Sequence, residues 1–233
     1  MIMKTVLLSL IILLFTATGC AAFIRGPFSG KVIDAETKEP IEGAVVVVIW
    51  DKAIYGSPGG PSSYFQDAKE TLTDKEGNFY IEKYYGFTIN PLARIRNASL
   101  SLLIYKPGYI VFPSHMYFSK FPKSPFKVSS PTLAKLFTKG KKDIKMEEEV
   151  VVDKTALSEL LTKEVTIVEL PKVKTWLERI ESLDSTHFYG YDDVSDSKIA
   201  NLKRVQKAEE DYLEPIKSKY RYDREKLNIP IDK

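Results

Sequence analysis

Phe28–Trp50 reads FSGKVIDAETKEPIEGAVVVVIW, and the fold is read outward from this stretch. From Ser29 to Asp34 small or polar residues alternate imperfectly with apolar ones. Val32 and Ile33 are the only bulky apolar side chains there, a weak strand signal by itself. Ala35–Gly43 then gathers Glu36, Thr37, Lys38, Glu39, Pro40 and Gly43. Proline donates no ladder hydrogen bond, and glycine takes positive φ without a Cβ clash, so this cluster predicts a turn. Ala44–Trp50 is an unbroken apolar run rich in β-branched residues, which suits a central strand. The expectation is two strands joined as a hairpin.

In that run Val45, Val47 and Ile49 face one way, and Val46, Val48 and Trp50 face the other. A strand apolar on both sides needs cover on both sides. One cover is the facing sheet of a sandwich; the other must come from elsewhere in the chain.

The pattern G-x-V-x-D-x-x-T-x-x-P-I-x-G-A-x-V is met by Gly30, Val32, Asp34, Thr37, Pro40, Ile41, Gly43, Ala44 and Val46. It resembles the carboxypeptidase regulatory-like domain. Thr73-Asp74 through Gly77-Asn78-Phe79, and Lys106-Pro107-Gly108-Tyr109, extend the likeness to roughly Phe28–Phe112. The resemblance implies a transthyretin-like Greek-key β-sandwich and is a poor guide to function, because such domains usually accompany a partner activity or bind proteins or glycans at cell surfaces.

The 233 residues allow one large domain or a small domain with an appendage. Hydrophobic residues at 44% and aromatics at 12% are enough for a packed core. A net charge of +3 does not point to nucleic acid. The single cysteine excludes an intrachain disulfide.

That cysteine has a better use. Met1–Lys4 carries one positive charge, and Val6–Phe15 is an apolar run interrupted only by Ser9. Spanning a bilayer takes about 20 residues, so this run has the proportions of a signal-peptide core. Ala17-Thr18-Gly19-Cys20 follows and resembles the bacterial lipobox, although Ala17 replaces the usual Leu or Val. The resemblance implies a signal peptide over 1–19, lipid on Cys20 and a membrane anchor through it. Ala21 after the cysteine, by the sorting of such lipoproteins, implies the outer membrane. The competing reading is an ordinary secretory signal cut near Ala21 or Ala22, or an uncleaved anchor. Residues 20–27 are then expected as a tether and 28–120 as the sandwich.

Beyond the opening stretch, Asp51–Glu70 with its Gly, Pro and Ser residues predicts a long loop, whose Tyr55, Tyr64 and Phe65 either present a ligand surface or fold back on the sandwich edge. Thr71–Thr73, the Asp74–Asn78 turn and Phe79–Tyr85 predict a second hairpin, with Phe79 and Ile81 inward and Tyr80 and Glu82 outward. Leu100–Tyr105 predicts a strand that Tyr109–Phe112 resumes after the Lys106-Pro107-Gly108 turn, with Tyr109 at a corner.

Residues 121–152 read as a linker, basic from Lys123 to Lys145 and acidic at Glu147-Glu148-Glu149; they are either a headgroup-contacting segment or, more simply, a solvated connection. Residues 153–233 read as about three helices. Leu157, Leu160, Leu161, Val165 and Val168 line the first, which Pro171 ends while opening the second. Val173, Trp176, Leu177, Ile180 and Leu183 line the second. Ser195 or Asp196 caps the third, with Ile199, Leu202, Val205, Ala208, Tyr212 and Ile216 inward. The tail from Lys217 is expected to fray. Amphipathic helices need an apolar surface, and packing on the sandwich would supply the second cover.

Catalytic chemistry is not indicated, and no cofactor is expected. The two histidines, His115 and His187, exclude a three-histidine metal site, and HExxH, CxxC, GxSxG and a phosphate-binding glycine loop are absent. Within the resembled superfamily, zinc carboxypeptidases need a further catalytic domain. The transthyretin-like hydrolases of 5-hydroxyisourate use several histidines and a C-terminal Tyr-Arg-Gly-Ser, whereas Tyr220-Arg221-Tyr222 here is internal. Asp192, Asp193 and Asp196 offer oxygen ligands for Ca²⁺ without EF-hand spacing, and capping by Asp196 accounts for part of that cluster.

The functional expectation is a non-catalytic envelope lipoprotein with an interaction or structural module and a protein or glycan partner. The alternative is an accessory subunit of an envelope export or surface-assembly complex, docking through Asp51–Glu70 or His187–Tyr191. A hydrolase with an unrecognised site ranks third and would require His187 to share a pocket with the Asp192–Asp196 carboxylates.

Overall fold

The computed structural model describes residues 21–54, 62–88, 100–112, 127–129, 166–187, 195–220 and 223–231. Among these the fold is mixed β with α: small antiparallel or mixed sheets and three α-helices. The strands are β1 (Ala21–Arg25), β2 (Phe28–Asp34), β3 (Val45–Ile54), β4 (Ser62–Leu72), β5 (Asn78–Ile81), β6 (Tyr84–Thr88), β7 (Leu100–Tyr105), β8 (Lys127–Ser129) and β9 (Thr166–Leu170). The helices are α1 (Trp176–Ser185), α2 (Ala200–Tyr220) and α3 (Arg224–Leu227).

β2 and β3 are both strands, but they do not form the expected hairpin. β2 lies in the order β5-β2-β9-β8, antiparallel to β5 and parallel to β9, whereas β3 is central in β4-β3-β7. The residues between them carry the chain from one sheet to the other. Asp34 Oδ1 accepts the N–H groups of Glu36 (2.7 Å) and Thr37 (2.9 Å), closing a tight turn at the end of β2. Lys38 then sits at φ 62° and Gly43 at φ 67°. Thr73 locks the far end of the connection: its hydroxyl donates to Ile41 O (2.6 Å) and accepts from Ala44 N–H (2.8 Å).

Glycine at position 30 has a packing reason. A Cβ there would stand 2.6 Å from both the Phe79 ring and the Thr166 carbonyl oxygen, so β5 and β9 close over β2 only because that side chain is missing.

The two faces of β3 belong to separate cores. Val46, Val48 and Trp50 share one cluster with Phe28, Val32, Phe79, Ile81, Val168 and Leu170. Val45, Val47 and Ile49 share the other with Ile180, Leu183, Ile199, Leu202, Leu213 and Leu227, all from the helical part of the chain. Burying such a side chain stabilises by about 1.5–3 kcal/mol, so each face of this one strand is worth several kcal/mol.

Several expectations are corrected. Asp51–Glu70 is not one long loop: β3 runs on to Ile54, and β4 begins at Ser62 and pairs with it across a register shift at Trp50/Asp51. A turn does hold Asp74–Asn78, but the strands it joins, β4 and β5, lie in different sheets. Phe79 and Ile81 are buried while Tyr80 and Glu82 are exposed, as their alternation requires. After β7 the chain doubles back, and Phe112 bridges antiparallel to Ile104. Residues 21–25 of the expected tether belong to β1, which pairs with β6.

The region 153–233 is not helical throughout. Thr166–Leu170, read as the end of a helix, is β9, with Thr166, Val168 and Leu170 buried and Ile167 and Glu169 partly so. Its β-branched residues at Thr166, Ile167 and Val168 favour a strand, and β2 offers a partner edge that short-range periodicity could not reveal. Lys127–Ser129, placed in the linker, pairs with β9 as β8. Helix α1 starts after Thr175, not at Pro171. Thr175 Oγ1 accepts Glu178 N–H (3.2 Å) and the Glu178 carboxylate accepts Thr175 N–H (3.3 Å), a reciprocal capping box.

Helix α2 buries Leu202, Gln206, Glu209 and Leu213, while Ala208 and Tyr212 are exposed. An apolarity count rotates the face because it passes over the two polar residues that turn inward. Neither Ser195 nor Asp196 caps this helix; Ser195 makes no side-chain cap bond to the 3-10 turn Asp196–Lys198. The amides of Asn201 and Leu202 donate instead to Glu70 Oε1 (2.7 Å) and Oε2 (3.0 Å) on β4, and Lys198 pairs with Asp67 of the same strand. A carboxylate at a helix N-terminus satisfies unpaired amides and opposes the macrodipole. Glu70→Ala is therefore expected to cost about 1 kcal/mol in urea denaturation, with faster amide exchange confined to the first turn of α2. An unchanged exchange rate there would reject the capping role.

The tail does not fray as expected. Lys217–Tyr220 completes α2, Leu227 of α3 is 1% exposed, and Ile231 N–H donates to Lys174 O (3.1 Å).

Candidate functional site

A polar cluster joins the turn after β2 to two other segments. Asp34 is buried, and its Oδ2 accepts from the Tyr109 hydroxyl (3.1 Å) and lies 3.1 Å from Lys172 Nζ. Tyr109 follows the Lys106-Pro107-Gly108 turn and bridges antiparallel to Lys172 through the backbone. Burial by itself would raise the Asp34 carboxyl. The amides of Thr37 and Glu36, the Lys172 ammonium and the Tyr109 hydroxyl outweigh it and hold the pKa at about 2.

The same contacts say what the carboxylate can do. Each oxygen already has two partners, which fills the roughly four lone-pair directions of a carboxylate. With no lone pair to spare and little proton affinity at neutral pH, Asp34 is a turn anchor and not a general base. Tyr109 is shifted upward, first by burial and then by its bond to Asp34. It is half-buried and packs against the first core.

A second cluster lies between α1 and α2. The Arg179 guanidinium donates to Glu209 Oε1 (2.5 Å) and Oε2 (3.0 Å), and its carbon lies 4.5 Å from the Tyr212 ring centroid. Nearby, Gln206 Nε2 donates to Thr186 Oγ1 (2.7 Å), whose own hydroxyl donates to Leu183 O (2.6 Å). Ser182 fastens α1 to the segment after β7, accepting from Val111 N–H (2.8 Å) and donating to Tyr109 O (2.9 Å). Apart from the Thr186–Leu183 bond, which closes the end of α1, these bonds join one element to another within the fold.

Of the residues singled out from the sequence, Cys20, His115, Tyr55, Phe188, Tyr189, Tyr191, Asp192 and Asp193 lie outside the described residues. His187 is exposed, with Nε2 3.5 Å from Glu210 Oε1 on α2. Asp196 is exposed in the 3-10 turn. Phe65 packs against the second core, the fold-back alternative for that aromatic. Among the described residues no three His, Cys, Asp or Glu side chains are grouped to hold a metal ion, and no helix is long and apolar enough to cross a membrane.

The sequence reading missed Lys172, Arg179, Glu209 and Glu70. Asp34 stood in the quoted pattern, but nothing near it in sequence pointed to Lys172. For Arg179 and Glu209 the available signal was a charged residue breaking each apolar stripe.

No protein-family model, no curated protein and no solved structure matches this chain. The likeness to the carboxypeptidase regulatory-like domain rests on the residues quoted for it.

Proposed function

We propose that this chain is a non-catalytic cell-envelope lipoprotein, held to the outer membrane by lipid on Cys20, whose β body is an interaction or structural module for an envelope protein or glycan. In this reading β2 to β7 with β9 are a transthyretin-like Greek-key sandwich, and the C-terminal helices complete it by covering the outer face of β3. The observation that carries the reading is positional. The single cysteine stands at the end of a lipobox-like tetrapeptide, and the residue after it, Ala21, pairs with Thr88 in the β1–β6 ladder. Cleavage before Cys20 would leave β1 whole.

The pattern residues have roles that fit a scaffold. Gly30 admits β5 and β9, Asp34 closes the turn, Gly43 supplies positive φ, and Ile41 and Ala44 are buried. The best-formed polar cluster has its acceptors filled by the protein's own donors.

The test is fractionation with intact mass. Expressed in a diderm bacterium, the wild-type chain should enter the outer-membrane fraction carrying a diacylglyceryl-sized adduct on a chain that starts at Cys20. Cys20→Ser should lose both the adduct and the membrane association, because one anchor chain contributes about 0.8 kcal/mol per buried CH₂ and nothing else in the proposal replaces it. A wild-type chain that starts elsewhere without an adduct would refute the anchor.

A further inference from the structure

In the two-stranded sheet β1–β6, the described residues of β6 alternate between buried and exposed. Tyr84 is buried and its ring stacks on Trp50 at 4.5 Å and 21°. The next residue, Tyr85, is 70% exposed, and its register partner Ile24 is 58% exposed. An isoleucine and a tyrosine thus stand side by side on the outer face. They are the two most exposed large hydrophobic residues described.

Their distance from the anchor is limited by covalent geometry. Ile24 follows Cys20 by four residues, so even a fully extended chain separates the two Cα atoms by no more than about 14 Å. Because Ala21 already pairs with Thr88, no slack chain lies between the lipidated residue and the folded body. An amphipathic surface seats about 5–10 Å into the headgroup and acyl boundary, and tyrosine favours that zone, ring inward and hydroxyl outward. Charge near the pair is mixed: Lys83 and Glu82 are both exposed in the turn before β6, and Lys69 Nζ lies 3.7 Å from Glu82.

We propose that the outer face of β1–β6, at Ile24 and Tyr85, docks on the lipid bilayer beside the anchor and fixes how the body is presented. This rests on the Cys20 anchor of the preceding section. The contact is apolar, so it should survive raised salt.

The chemistry of the anchor supplies the probe, since an introduced cysteine would be the only free thiol in a protein lipidated at Cys20. Tyr85→Cys and, as control, Tyr212→Cys on α2 (53% exposed) are labelled with nitrobenzoxadiazole and reconstituted in phosphatidylethanolamine–phosphatidylglycerol vesicles. Intact mass first establishes the lipid on Cys20. The dye at 85 should be blue-shifted and quenched by spin-labelled lipid roughly twofold or more above the dye at 212. Adding Ile24→Asp should remove that excess.

Equal quenching at both positions on a lipidated protein would overturn the docking face and leave the anchor standing. A mass without lipid would remove both. A blue shift that arises without vesicles and grows with protein concentration would assign the face to a second copy of the chain, and would also overturn the proposal.

Discussion

Arg179→Ala is expected to destabilise the protein by about 3–5 kcal/mol, the largest effect of any single side-chain truncation considered for it. The size comes from what is left behind. The Glu209 side chain is 4% exposed, and both its oxygens are bonded by Arg179, whose own side chain is 17% exposed. Truncation leaves a carboxylate in the seam between α1 and α2 with neither water nor a counter-charge. Because α1 and α2 supply most of the cover for Val45, Val47 and Ile49, loosening that seam also uncovers β3. Urea denaturation followed by circular dichroism measures the loss. The double variant Arg179→Met/Glu209→Leu should recover most of it, since removing both charges removes the desolvation cost as well. If the single variant lost less than about 1 kcal/mol, the pair would be behaving as a solvated one.

Asp34→Asn is expected to cost about 2 kcal/mol at neutral pH and to change the acid limb of the stability profile. The folded-state pKa of about 2 lies below the ordinary 3.8, so the folded state favours the charged form. At about 1.4 kcal/mol per unit, that difference amounts to roughly 2 kcal/mol. The sign follows from the depression. Above pH 4 the contribution is fully present, and as pH falls through about 4 to 2 the carboxylate protonates and the contribution is lost. Wild type should therefore lose stability across that window more steeply than Asp34→Asn, and the two curves should converge near pH 2. Parallel curves would mean that Asp34 is not the group that titrates, whatever its contacts.

Both predictions concern contacts that join distant stretches of chain, and the sequence reading fell short at such contacts. Val45–Trp50 was legible as a central strand because six consecutive apolar residues, half of them on each face, can be buried in few other ways. Phe79 and Ile81 against Tyr80 and Glu82 were legible by alternation, and the Asp74–Asn78 turn by its composition. Thr166–Leu170 was misread because Val165 and Val168 continued a helical spacing; five residues satisfy either period, and only the edge of β2 decides between them. Ala208 and Tyr212 were misassigned because Gln206 and Glu209 face inward, a placement that makes sense only once Thr186 and Arg179 are across from them. The lipid site proposed at Cys20 rests on the four adjacent residues Ala17–Cys20, which lie outside the described residues.

The sequence by itself determined which segments must be buried on both faces, where the chain turns, and that one cysteine ends a lipobox-like motif. These follow from side-chain period and backbone freedom, properties of neighbouring residues. Only the tertiary structure decided that β2 and β3 part into different sheets, that β9 runs parallel to β2, and that Glu70 rather than a local residue holds the start of α2. Each of those depends on closing long loops around a partner surface, and the free energy of such contacts exists only after the chain has brought the two surfaces together.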